Sequence, residues 1–224
     1  MQRNTILFDI NETVLDLSVL NPRFRTAFGD DSVTATWFSM LLHSSAVCVV
    51  TGVKTDFSTL ASAMLESIAN RKGIKLSEEM RDDILGGFAS LPPHKDIRKS
   101  LSQLKSAGFH TVAFSNSSLN LISRQIGNAG LTEYFDDVIS VEETGSFKPD
   151  PRVYGFAAKK LNRPADSLRL VACHDWDTHG ALSAGMKAAY ISRSGAIYHP
   201  LYLQPDIRAA TMEAIVAQII DRDS

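Results

Sequence analysis

The sequence predicts an α/β fold: a parallel sheet covered by helices on both faces, with a helical cap inserted after the first strand. Two observations carry this expectation. From Ile97 onward, short apolar runs alternate with amphipathic segments closed by glycine, the rhythm of strand–helix–strand units. Before that, a single apolar run is followed by residues 15–91, which show helical periodicity and no convincing second strand. A structureless loop of that length inside a compact domain is uncommon, so the segment reads as a helical insertion. The expected division is therefore a core of residues 1–14 and 92–224 and a cap of residues 15–91.

Taken in order, Thr5-Ile6-Leu7-Phe8 is a short buried strand ending at Asp9, and Asn11-Glu12-Thr13 is a turn. Ser32 to Ser44 places Val33, Trp37, Phe38, Leu41 and Leu42 at near-helical spacing. Phe57 to Ile68 repeats the pattern with Leu60, Met64, Leu65 and Ile68, and Arg71-Lys72-Gly73 supplies a basic end and a glycine stop. Ser77 is a candidate N-cap for the next helix, and Leu91-Pro92-Pro93-His94 breaks the helical pattern. Then come a helix from Ile97 to Ala107 and a strand at Thr111–Phe114, followed by a helix from Leu119 to Ala129 and a strand at Asp137–Ser140. A helix from Val153 to Leu161 leads to a strand at Leu168–Cys173. Gly180–Ala184 lies in a helix, Ala188–Ser192 is a strand, and Met212–Asp221 is a final helix.

The chain has 224 residues, 44% of them hydrophobic, enough for one core plus a sizeable insertion. A net charge of −2 offers no basic surface for nucleic acid. No apolar run reaches the roughly 18–20 residues of a membrane span. The lead Met1-Gln2-Arg3-Asn4 runs into an apolar stretch too short for a signal sequence, so a cytoplasmic location with Cys48 and Cys173 as free thiols is expected.

In an open parallel sheet, ligands bind beyond the carboxyl ends of the strands. Asp9 ends the first strand. Ser115 and Asn116 end the next, Lys148 follows the strand around Ile139, and Cys173, His174, Asp175 and Asp177 follow the strand at Leu168. Each alone has an ordinary explanation: a turn former, a helix cap or a solvated lysine. Together, four strand ends converge on one cleft. That set suits covalent catalysis: one carboxylate attacks, a lysine keeps it ionised, and a second carboxylate prepares water.

These residues resemble the motifs of the haloacid dehalogenase superfamily, in order and over nearly the whole chain. Phe8-Asp9-Ile10-Asn11-Glu12-Thr13 resembles the first motif, Phe114-Ser115-Asn116-Ser117 the second and Phe147-Lys148-Pro149-Asp150-Pro151 with Tyr154 the third. Val171-Ala172-Cys173-His174-Asp175-Trp176-Asp177 with Gly180-Ala181 resembles the fourth. Within the superfamily the chain is most similar to the type II 2-haloacid dehalogenases. The resemblance implies a Rossmann-like core with a helical cap, no cofactor or metal, a small carboxylic acid as substrate, and a homodimer. It also implies Asp9 as nucleophile, displacing a leaving group at C2 and forming an aspartyl ester that water then hydrolyses. Lys148 would stabilise Asp9, and Asp177 would help activate water, through Lys148. Thr13 would orient Asp9, Tyr154 would brace the site, and Asn11, Ser115, Asn116 and His174 would contact substrate or leaving group. Trp37, Phe38, Met40 and Phe57 are candidates for the cleft wall, with packing as the commoner role for such residues.

The chain departs from the type II pattern in three places. Asn11 and Glu12 stand where an aromatic residue and a glycine are usual. No arginine stands at the expected cap position upstream of Trp37, where Gly29 lies; Arg23 and Arg25 are the nearest. Ala172 and His174 replace a usual serine and asparagine, and a histidine there resembles a branch with defluorinating members. Cys173 reads as a buried, inert thiol. Three rival readings follow. A ring-opening hydrolase of the L-azetidine-2-carboxylate type would expel an amine and need no cationic cradle. A phosphatase would need Mg²⁺ and an acid at position 11, where this chain has an amide. A binding module would not need Asp9, Lys148 and Asp177 together.

Overall fold

The computed structural model describes residues 4–193 and 195–223. The N-terminal lead Met1-Gln2-Arg3, on which the expectation about a signal sequence partly rests, lies outside them. Six strands form one sheet: β1 (Thr5–Phe8), β2 (His110–Ser115), β3 (Asp137–Ser140), β4 (Leu168–Ala172), β5 (Lys187–Ile191) and β6 (Ile207–Ala209). Their order is β3-β2-β1-β4-β5-β6, and every pairing is parallel. All four residues of β1 are buried, as expected of a central strand covered on both faces. Phe8 is in register with Ala113 on one side and Val171 on the other. Asp9 is thus the first residue beyond β1, at the point where the chain's later strands divide to either side. That crevice is where such sheets bind ligands.

Between β1 and β2 the chain is helical: α1 (Asn21–Phe28), α2 (Val33–Thr51), α3 (Phe57–Lys72), α4 (Glu78–Phe88) and α5 (Ile97–Ser106). The remaining helices are α6 (Leu119–Asn128), α7 (Pro151–Lys160), α8 (Asp175–Ser183) and α9 (Met212–Asp223). Ser77 caps α4 by accepting a bond from Met80 N–H, as the sequence suggested. The first four helices share an aromatic centre. Trp37 lies 5.4 Å from Phe24 and 5.7 Å from Phe88, ring to ring, and its indole N–H donates to Ala61 O at 2.9 Å.

Some expectations need correction. α2 continues past Ser44 to Thr51, because Ser45 and Thr51 turn their hydroxyls back onto Leu42 O and Val47 O instead of breaking the helix. It is a 19-residue helix without Asp, Glu, Lys or Arg, long and apolar enough by length and composition to cross a membrane. The expectation that no segment reaches span length is therefore overturned at that level. Within the fold, Trp37, Phe38 and Leu41 of this helix are buried. α8 begins at Asp175, five residues before Gly180. Helix α1 and strand β6 were not anticipated.

At the amino ends of the strands, Arg169 of β4 is 2% exposed and holds Asp223 of α9 at 2.6 Å and Asp206 at 2.6 Å. Lys187 of β5 also reaches Asp223, at 2.9 Å. This network fastens the C-terminal helix to the sheet, far along the strands from Asp9.

Candidate active site

The carboxyl ends of β1, β2 and β4 bring the predicted residues together. Lys148 reaches in from the loop before α7 and is 1% exposed. Its ammonium lies 3.3 Å from Asp9 Oδ1 and 2.8 Å from Asp177 Oδ2, and it donates to Phe114 O at 2.9 Å. Three protons meet three acceptors, so the lysine is fully committed. Asn116 fixes the loop that carries it, accepting from Lys148 N–H at 2.9 Å. Asp177, in the first turn of α8, is wholly buried, and its second oxygen accepts from the Tyr154 hydroxyl at 2.7 Å. Asp175, the other candidate cap there, accepts instead from Trp176 N–H and His199 N–H.

Asp9 Oδ2 has two donors of its own. The Thr13 hydroxyl lies at 2.7 Å and His174 Nδ1 at 3.1 Å. Thr13 in turn accepts from Cys173 N–H at 2.9 Å, which ties the first motif to the end of β4. The other ring nitrogen of His174 meets Glu12 Oε2 at 2.9 Å. Glu12 adopts a left-handed backbone with φ of 63°, a conformation that favours glycine. The surrounding structure holds it there: His94 Nε2 bonds Glu12 O at 2.9 Å, and Arg193 donates to Thr13 O at 3.0 Å.

The electrostatics follow from this wiring. Burial pushes the Asp9 carboxyl up, but Lys148, His174 and Thr13 outweigh it and hold the group well below the usual carboxylate range. Burial works against the Lys148 charge, and Asp177 and Asp9 overcome it, so the ammonium is more firmly protonated than an ordinary lysine. Asp177 goes the other way: burial and the Asp9 charge raise it in spite of Lys148. Burial and Asp177 push the Tyr154 phenol well up, which keeps it a donor. Burial disfavours a charged His174, but Cys173, Asp9 and Glu12 outweigh it and place the ring well above its ordinary range.

The open side of Asp9 faces a small cleft. Asn11, Ser115, Asn116 and His174 supply its polar lining, and Phe38, Leu42, Phe57 and Trp176 its apolar wall. Ser115 accepts from Ser117 N–H, and Asn116 accepts from Lys148 N–H. Among the described residues the Ser115 hydroxyl proton and the Asn116 amide protons have no protein acceptor, so they are available to a ligand. Asn11 is already engaged with Ser117 and Gln125. Thr13, Lys148, Tyr154 and Asp177 stand behind Asp9. Of the four candidate wall residues, Phe38 and Phe57 line the cleft. Trp37 is buried in the helical aromatic centre and Met40 packs against the core.

A model of haloacid dehalogenase-like hydrolases matches residues 4–168. The chain belongs to that family. Among known relatives of this haloacid dehalogenase-like hydrolase, the (S)-2-haloacid dehalogenase of Pseudomonas sp. strain YL is 26% identical, over 94% of this chain and 92% of that one. An L-2-haloacid dehalogenase structure from Xanthobacter autotrophicus with chloropropionic acid covalently bound superposes with a TM-score of 0.89 at 20% identity, covering all of both chains. The structure of a defluorinating L-2-haloacid dehalogenase gives a TM-score of 0.80 at 23% identity, over 97% and 95% of the two chains.

A magnesium-bound structure of a Bacillus subtilis chain named as a HAD-hydrolase gives a TM-score of 0.73 at 17% identity, over 98% and 99% of the two chains. The residues here do not fit that ion: the Lys148 ammonium already lies between Asp9 and Asp177, and Ala172 and Cys173 at the end of β4 offer no further carboxylate. Glu12, Cys173 and His174 do bring three potential ligand atoms within 4.8 Å of one another, but both His174 nitrogens are bonded to carboxylates. Cys173 is half-buried, contrary to the expectation of a buried thiol; both cysteines are free. Arg23 is turned to Asp83 O and Arg25 to Asp31, so neither reaches the cleft. The Glu12–His174 pair was missed at the sequence level. Its one trace there was a non-glycine residue at a position where the family usually has glycine.

Proposed function

We propose that this chain is a metal-independent 2-haloacid dehalogenase that works through an aspartyl ester on Asp9. The observation that carries the reading is the Lys148 ammonium shared between Asp9 and Asp177 at 3.3 and 2.8 Å. It supplies the charge that keeps a buried carboxylate anionic and nucleophilic. Asp9 attacks C2 in line, forming the C2–O bond as the carbon–halogen bond breaks and halide departs. Water then attacks the Asp9 carbonyl carbon, releasing a 2-hydroxy acid with C2 inverted. Asp177 takes the water's proton through the Lys148 pair. Ser115 and Asn116 bind the substrate carboxylate with their free donors. The names of the relatives and the covalent chloropropionate in the Xanthobacter structure support this reading.

Residues 15–91 act as the cap, contributing Phe38, Leu42 and Phe57 to the cleft. A homodimer is proposed as well: Val47 and Val50 of α2 and the neighbouring Val53 are exposed and apolar, and sedimentation of the pure protein tests it.

The functional test is incubation with 2-chloropropionate in excess chelator, following chloride and lactate. In ¹⁸O water, a single turnover should leave label in Asp9 and none in lactate. Phosphate release from esters with no chloride release would overturn the reading. Opening of azetidine-2-carboxylate without chloride release would move it to the ring-opening hydrolases.

A further inference from the structure

Asp9 presents two unlike oxygens. Among the described residues Oδ1 has a single partner, Lys148 at 3.3 Å, whereas Oδ2 is gripped by the Thr13 hydroxyl at 2.7 Å and His174 Nδ1 at 3.1 Å. The less restrained oxygen is the one free to bond carbon. Oδ2 then becomes the ester carbonyl oxygen, already facing two donors. His174 meets a carboxylate on each ring nitrogen, Asp9 on Nδ1 and Glu12 on Nε2, and so must donate from both. With both N–H groups committed, the ring has none left for a halide or a substrate carboxylate. The backbone cost of placing Glu12 there is met by bonds to two successive carbonyls, from His94 and Arg193.

We propose that His174 and Thr13 form the oxyanion cradle for hydrolysis of the Asp9 ester, and that Glu12 is the positioning residue that holds His174 as a double donor. This rests on the dehalogenase reading above and assigns the second half of that reaction. Water adds to the Asp9 carbonyl carbon and gives a proton to Asp177. The carbonyl electron pair moves onto Oδ2, where Thr13 O–H and His174 N–H meet the new negative charge. The pair then returns and the bond to Oδ1 breaks. The departing alkoxide takes the proton from Asp177 and leaves as the hydroxy acid. The regenerated Asp9 carboxyl, now holding the water's oxygen, releases its remaining proton to solvent.

The charged and titratable groups that face the His174 ring are Asp9 and Glu12 from the end of β1, Cys173 from the end of β4 and Tyr190 from β5. Glu12 is the partner that can be changed without touching Asp9. The test is rapid-quench mass spectrometry of the Asp9–propionyl adduct in wild type, H174A and E12Q, with ¹⁵N NMR of the ring. H174A should slow ester hydrolysis by about 10²–10³-fold, the effect of losing one oxyanion donor, and accumulate adduct. Ester formation should fall far less. E12Q should slow hydrolysis about tenfold and move its alkaline limit to lower pH, as the ring loses its proton more readily. In wild type, NMR should find both ring nitrogens protonated at pH 7.5. Equal slowing of both steps, or a neutral wild-type ring, overturns the cradle while leaving the dehalogenase reading intact. Absence of adduct in every protein, wild type included, overturns both.

Discussion

Asp9 and Asp177 share one ammonium, yet burial and wiring drive their acidities apart, and this separation is measurable. Asp9 stays anionic far down in pH, while Asp177 takes up a proton above the ordinary aspartate range. In the proposed reaction, ester formation needs only the Asp9 anion; hydrolysis also needs Asp177 unprotonated. As pH falls, steady-state turnover should therefore fail first, with a midpoint above the ordinary aspartate value. Single-turnover ester formation, followed by rapid quench, should persist to lower pH. D9N should reduce chloride release by about 10³-fold or more. K148M leaves two buried carboxylates without their cation and should cost about 3–5 kcal/mol of stability, read by chemical denaturation. At this scale Asp9, Lys148, Asp177, Ser115 and Asn116 were legible because each ends or follows a strand on one edge of a parallel sheet. The Glu12–His174 pair was not, because it depends on a left-handed turn that no periodicity announces.

α7 and α8 pack closely enough for the Tyr154 hydroxyl to reach Asp177, and Gly180 is what permits it. A Cβ there would lie 2.5 Å from the Tyr154 oxygen and 2.9 Å from Pro149 Cβ. G180A should push Tyr154 off Asp177, lowering stability by about 1–3 kcal/mol and turnover with it. Thermal melts and a kinetic comparison with Y154F check this: if the tyrosine contact is what suffers, G180A in the Y154F background should lose little further activity. The elements themselves were read unevenly. Strands with buried β-branched or aromatic runs, and helices closed by glycine, declared themselves. α1 drew no separate reading; its signal is Pro22 in its first turn, where proline starts a helix. β6 has three residues and follows Pro205, too short a stretch for alternation to register. α2 was cut short at its serines, whose hydroxyls satisfy helix carbonyls.

Across the whole molecule, the two ends of the sheet have separate duties. The carboxyl ends hold the candidate active site; the amino ends hold the Arg169 network that fastens α9. Burial raises Asp223, but Arg169 and Lys187 bring it below its ordinary value. With a depressed folded-state pKa, this group stabilises the fold above the unfolded aspartate range, and that contribution is lost as pH falls through the folded value. R169M should therefore lower stability by about 3 kcal/mol near neutrality, less in acid, while leaving kcat unchanged. Denaturation at several pH values beside chloride-release assays separates the two effects. The α/β architecture was legible as a whole because strand–helix alternation and four ordered motifs agree. The ion pairs that fasten it were not, since Arg169 reads in sequence as one charge within an apolar strand. The sharing of Lys148 has a consequence for biogenesis. Asp9 is synthesised long before Lys148, which neutralises it, and before Asp177 beyond. A nascent chain therefore carries an unneutralised aspartate until Lys148 has emerged. On the proposed mechanism, chemical competence is acquired only once these distant residues have folded onto one another.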